Sequence, residues 1–233
     1  MDVSTSVFAG YNLMAVANQT PASVANEFAT LQFIFRQLMN GMATAALVRV
    51  KACTNSGGLA PVGKVDLQLL TDLVTEDGQT FPQGAVFNAP YMRMQGGTNA
   101  VILDPEAGDI GLCVFAMRDI TPIKKDPDAA RNREPSPGAP PGSKRAYSFS
   151  DALYVGGMLN GVPVQFIQFS ADGIVIKSPI GVTIQAPTVG ITADVSITGA
   201  LAVSGDVTGE GTSLHTHVHG GVQAGSGDTG PPV

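Results

Sequence analysis

Hydrophobic and polar positions change their period several times along this chain, and each change marks an expected element. Val24, Phe28, Leu31, Phe35 and Leu38 recur at a three/four spacing, which marks one face of a helix. Ser23 is a candidate N-cap, Glu27 falls in the first turn, and Asn40-Gly41 has the chemistry of a left-handed C-cap. The pattern predicts a helix over 23–39, preceded by an irregular polar arm. The aromatic stripe Phe28, Phe33 and Phe35 reads as a packing face against a domain or a neighbouring subunit.

From 43 to 121 the dominant period is two, in short runs separated by turn residues. Strands are expected at 45–50, 63–70, 85–88, 100–103 and 110–115, with turns at Glu76-Asp77-Gly78 and Ala107-Gly108-Asp109. Short strands at this spacing fit a small barrel of the OB-fold type. The stretch 122–146 breaks the pattern with Pro122, Pro127, Pro135, Pro137, Pro140 and Pro141 among Lys124, Lys125, Arg131, Arg133, Lys144 and Arg145. It reads as a solvated, extended loop. Strands resume at 152–155 and 164–169.

Beyond Asp172-Gly173 the alternation lengthens. Ile174, Ile176, Val182, Ile184 and Ala186 share an even phase, which slips by one residue around Pro187. From Ile191 the odd positions are Ile191, Ala193, Val195, Ile197, Gly199, Leu201, Val203, Gly205 and Val207, while the even ones are small and mostly polar. Period two places the two sets on opposite faces. A segment of this size cannot close a core alone. Three copies wound about one axis can, and pairing between chains also protects the strand edges. The pattern therefore predicts an intertwined, triple-stranded β-helix in a homotrimer; the competing reading is a series of ordinary sandwich strands in a monomer.

Composition sharpens the class. Apolar residues make up 44% of the chain, which excludes a disordered protein, and 28 Gly with 16 Pro favour turn-rich β structure. A net charge of −6 argues against nucleic acid as a partner. Neither a signal peptide nor a run long enough for a spanning helix is expected. Cys53 and Cys113 form no CxxC motif and read as reduced, apolar side chains.

The three histidines, His215, His217 and His219, all lie in Leu214-His215-Thr216-His217-Val218-His219-Gly220-Gly221 and continue the odd phase. Residues i and i+2 of a strand share a face about 6.6–6.8 Å apart. Two histidines from each of three chains supply six nitrogens in two stacked triangles, an octahedral set that suits a first-row ion such as iron better than four-coordinate zinc. His217 and His219 are the favoured pair, with His215 as the alternative. A cupin-type enzyme site would need a later Glu and His, and neither follows His219.

His217-Val218-His219-Gly220-Gly221-Val222-Gln223, followed by Gly225-Ser226-Gly227-Asp228-Thr229-Gly230-Pro231-Pro232, resembles the tip of the central spike proteins of contractile-tailed phages, the baseplate assembly protein V family. The order of a barrel, the Ser148-Phe149-Ser150-Asp151-Ala152 segment and the needle agrees with that family. The third histidine departs from its bare HxH. The resemblance implies a mainly β, non-enzymatic virion protein that acts as a homotrimer. It implies an OB-fold collar on the tail hub, a shaft, and one octahedral iron ion per trimer shared by three chains. The spike would be assembled in the host cytoplasm, act at the host outer membrane, and take no small-molecule substrate. The expected divisions are an arm and helix (1–42), an OB-like domain (43–121), the Pro-rich loop (122–146), strands and shaft (147–211) and a metal-binding apex (212–233). A trimeric tail-fibre or receptor-binding adhesin tip is the rival; it calls for aromatic groups near the tip, and none follows Phe169.

Overall fold

The computed structural model describes residues 21–74, 78–134, 138–218, 221 and 225. The N-terminal arm, the Glu76-Asp77 part of the expected turn, Pro135 and Pro137, and His219 lie outside the described residues. The contacts divide the chain into two units, Met1–Val164 and Gln165–Val233.

The first unit begins with a short 3-10 turn, Pro21–Val24, and helix α1, Glu27–Asn40. Asn26, not Ser23, caps α1. Its extended backbone (φ −159°, ψ 171°) aims its Oδ1 at the Ala29 N–H, 2.8 Å away. The helix also ends differently from expectation: Gly41 has φ −80°, in the right-handed region, and its N–H donates to the Gln37 carbonyl. No residue of α1 is buried.

The strands follow as β1 Ala45–Cys53, β2 Lys64–Leu69, β3 Leu73–Val74, β4 Thr80–Phe81, β5 Ala85–Pro90, β6 Met94–Gly96, β7 Asn99–Val101, β8 Ile110–Phe115 and β9 Ala152–Gly157. Five of them form one sheet in the order β5-β2-β1-β8-β9, with each adjacent pair antiparallel. The alternation read from the sequence is visible in the burial: Val65, Leu67 and Leu69 of β2 and Gly111, Cys113 and Phe115 of β8 point inward. Val48, Val50, Val86, Ala89, Tyr91, Ala152 and Tyr154 complete most of the core. Phe149 packs edge-on against Phe115, with ring centroids 5.0 Å apart. Cys113 is buried and Cys53 half-buried, both as free thiols.

Three register shifts curl this sheet into a half-barrel. Extra residues fall between Val50 and Ala52 of β1, between Val86 and Ala89 of β5, and between Tyr154 and Gly156 of β9. Bulges bend a strand and increase its twist. At the second, Asn88 takes φ 56°, which Asn tolerates, and donates its N–H to Asp66 Oδ1 at 2.9 Å. The two ends of the sheet approach through a parallel bridge, Tyr91 to Tyr154, where the Met92 N–H donates to the Tyr154 carbonyl at 2.8 Å.

The Pro-rich stretch is not simply extended. It contains helices α2, Thr121–Lys125, and α3, Pro127–Arg131. Pro122 at the start of α2 costs no helical hydrogen bond there. The stretch is also pinned at its far end. Arg145 sends Nε to Asp151 Oδ2 (2.8 Å) and Nη2 to Asp119 Oδ1 and Asp151 Oδ1 (2.9 Å each). Asp151 is fully buried and Asp119 nearly so. Hydrogen bonds from Thr121 and Ser143, with Arg145 nearby, hold the Asp119 carboxyl down at about 2. A second buried pair, Arg93–Asp104 at 2.6 Å, is joined by the Tyr91 hydroxyl and the Gly57 N–H.

The second unit opens with the hairpin β10 Phe166–Ser170 and β11 Gly173–Lys177. Every residue from 179 to 212 is exposed, and no strand is assigned between 178 and 207. Ile191, Val195, Ile197 and Leu201 lie open along this segment. Among the described residues of one chain, nothing covers the apolar face of the alternating segment. Among the described residues no helix is long and apolar enough to cross a membrane.

Candidate metal centre

The tip is built on a tight hairpin, β12 Thr208–Gly209 and β13 Thr212–Ser213. Glu210 and Gly211 join the strands with φ of 48° and 83°. Positive φ at both central residues matches the twist of a two-residue hairpin, and Gly at the second adopts it without strain. The Leu214 N–H donates to the Val207 carbonyl at 2.7 Å and extends the pairing by one step.

The strand expected to run on through the histidines stops at Ser213, and Leu214–Thr216 form a turn. Side-chain acceptors compete with a strand here. Ser213 Oγ accepts from the N–H groups of His215 (3.2 Å) and Thr216 (3.0 Å), and Asp206 Oδ1 also accepts from His215 (3.1 Å). Hydrogen bonding from Ser213, then from the His215 and Val207 N–H groups, holds the Asp206 carboxyl below the usual carboxylate range. The two-residue strand spacing assumed for His215 and His217 therefore does not apply to this conformation.

His217 lies just past the turn and is exposed, as is His215. The His217 N–H donates to the Ser213 carbonyl at 3.1 Å. Its ring Nδ1 lies 3.0 Å from the Leu214 carbonyl oxygen. A carbonyl only accepts, so Nδ1 carries the proton in this contact, and in the neutral ring the lone pair then falls on Nε2. A backbone carbonyl on one ring nitrogen is the arrangement that orients the other toward a metal. The chemistry of His217 fits a metal ligand.

The structure places His215 in the turn and His217 just past it, and His219 lies outside the described residues. Among the described residues no group of three or more His, Cys, Asp or Glu side chains converges in the single chain. Asp206 and Ser213, which shape the turn, carry no mark in the sequence beyond their polarity.

A family model described as the GpV Apex motif matches residues 211–233. The C-terminal segment is thus similar to the apex of the GpV baseplate spike proteins. That segment holds all three histidines and the Gly- and Pro-rich end. No curated protein matches the chain. The Apex motif implies a phage baseplate spike, a structural protein of the virion, and it is known for metal binding at the tip.

Proposed function

We propose that this chain is the central, membrane-piercing spike of a contractile tail, working as a homotrimer without catalysis. The observation that carries the reading is the open segment 179–212, where apolar residues alternate with small polar ones and every residue is exposed in the single chain. Threefold winding buries that face, pairs its backbone, and yields a stiff triple-stranded β-helix. The Apex match at residues 211–233, directly after this segment, supports the reading.

The barrel would be an OB-fold collar seated on the tail hub. The strand order β5-β2-β1-β8-β9 and the parallel Tyr91–Tyr154 bridge support that reading. At the apex, His217 and His219 of three chains would hold one octahedral iron ion, with His215 as the alternative ligand. The ion supplies a clamp where three chain ends would otherwise fray, so that its binding energy becomes folding energy of the tip. Sheath contraction would then load the outer membrane through a point that does not splay.

Native mass spectrometry with elemental analysis of the full-length protein tests this. The expected result is a trimer carrying one iron, with the metal lost in His217→Ala/His219→Ala while the trimer persists. A metal-free monomer overturns the shaft and the clamp together. A metal-free trimer overturns the clamp alone.

A further inference from the structure

Among the described residues, helix α1 presents an exposed apolar face. Phe28, Leu31, Phe35 and Leu38 are 70%, 53%, 63% and 63% exposed, and Ile34 and Met39 flank them in the open. Phe33, on the other side of the helix, is half-buried.

The exposed positions fall in a heptad register. Phe28 and Phe35, with Met42 just past the helix end, take the a positions, and Leu31 and Leu38 take the d positions. Ile34 at g and Met39 at e widen the seam to an arc of about 140° at 3.6 residues per turn. A narrow a/d seam serves one neighbour; an arc this wide serves two. The only charged residues of α1, Glu27 and Arg36, sit at g and b, outside the a/d seam. An acidic or basic partner therefore finds no complement on it, whereas a second copy meets an identical apolar stripe.

We infer that the three α1 helices of one spike pack against each other as a short parallel coiled coil, a second trimer contact at the opposite end of the sequence from the tip. The inference rests on the trimeric spike reading. Two heptads are too few to associate unaided, and a trimer holds the helices at the millimolar effective concentration that makes such a seam form. Parallel orientation follows because three chains wound together in one shaft run in the same direction.

Disulfide trapping in the full-length protein tests it. Leu38→Cys and Leu31→Cys at d, and Arg36→Cys at b, are each made in a Cys53→Ser background, leaving buried Cys113. Each is oxidised with dithiodipyridine and its oligomeric state is measured on the same sample. A trimer in which the d-position cysteines link chains at least tenfold faster than Arg36→Cys supports the coiled coil. A trimer in which all three positions link at similar rates overturns it and leaves the spike reading intact; the face then belongs to a different protein. A monomer overturns the spike reading and the coiled coil with it.

Discussion

Replacing Arg145 by methionine tests how the half-barrel holds the segment that leads into β9. Its guanidinium is the only cationic group within hydrogen-bonding distance of Asp119 and Asp151 among the ion pairs of the described residues. The Asp119 and Asp151 side chains are 4% and 0% exposed, that of Arg145 35%. Removing one partner of a buried ion pair costs about 3–5 kcal/mol, because the other charge is left without compensation. Solvent already reaches Arg145, which lowers the expected cost to about 2–3 kcal/mol. The readout is local: the Ile120 N–H donates to Asp151 at 3.0 Å and the Thr121 N–H to Asp119 at 2.9 Å. Hydrogen exchange at these two amides should accelerate about thirty- to 150-fold, taking 1.36 kcal/mol per tenfold. Adding Asp151→Asn to Arg145→Met should recover part of the loss, since the amide leaves no bare charge. Exchange within about threefold of the parent in Arg145→Met would refute the argument that this ion-pair network holds the segment.

Other perturbations follow from the same core. The Tyr154 hydroxyl is buried with no hydrogen-bond partner among the described residues, so Tyr154→Phe should stabilise the half-barrel by about 1 kcal/mol in urea unfolding; a clear loss would reveal an unseen partner. Gly111 has no room for a side chain: a Cβ there would lie 2.3 Å from the Gly156 carbonyl oxygen and 2.3 Å from the Tyr154 hydroxyl. Gly111→Ala should cost about 1–3 kcal/mol by the same assay, and an unchanged midpoint would contradict the close approach of β8 and β9. Stability should also fall at both pH extremes. Asp119 is depressed from 3.8 to about 2, so its contribution is present above pH 4 and is lost as pH falls through about 2. Burial raises Cys113 from 9.0 to about 11 and Tyr154 from 10.0 to about 12, so their contribution is present below pH 9 and is lost as pH rises toward those values. Unfolding midpoints across pH should lose the alkaline slope in a Tyr154→Phe/Cys113→Ala variant; a slope unchanged there would assign it to other groups.

Much of this architecture is local and so was readable from the chain. Period two places Val65, Leu67 and Leu69 on one face whatever lies opposite, and those residues are the ones buried in β2. The long alternation after Ile191 and the histidine-rich end were equally plain, and the family match falls on that end. What the chain alone left open depends on competition between neighbours and on distant partners. Ser23 and Asn26 are both good caps, and the backbone at Asn26 decided between them. The run of histidines keeps the odd phase on paper, yet the Asp206 carboxylate, nine residues back, and Ser213 capture its N–H groups and turn the chain. Arg145 looked like one cation in a solvated loop; only the fold brings Asp119, 26 residues earlier, and buried Asp151 to its guanidinium. Side-chain period is set residue by residue along a strand, whereas bulges, caps and ion pairs are set by which groups the folded chain brings within hydrogen-bonding distance, and that was decided only in three dimensions.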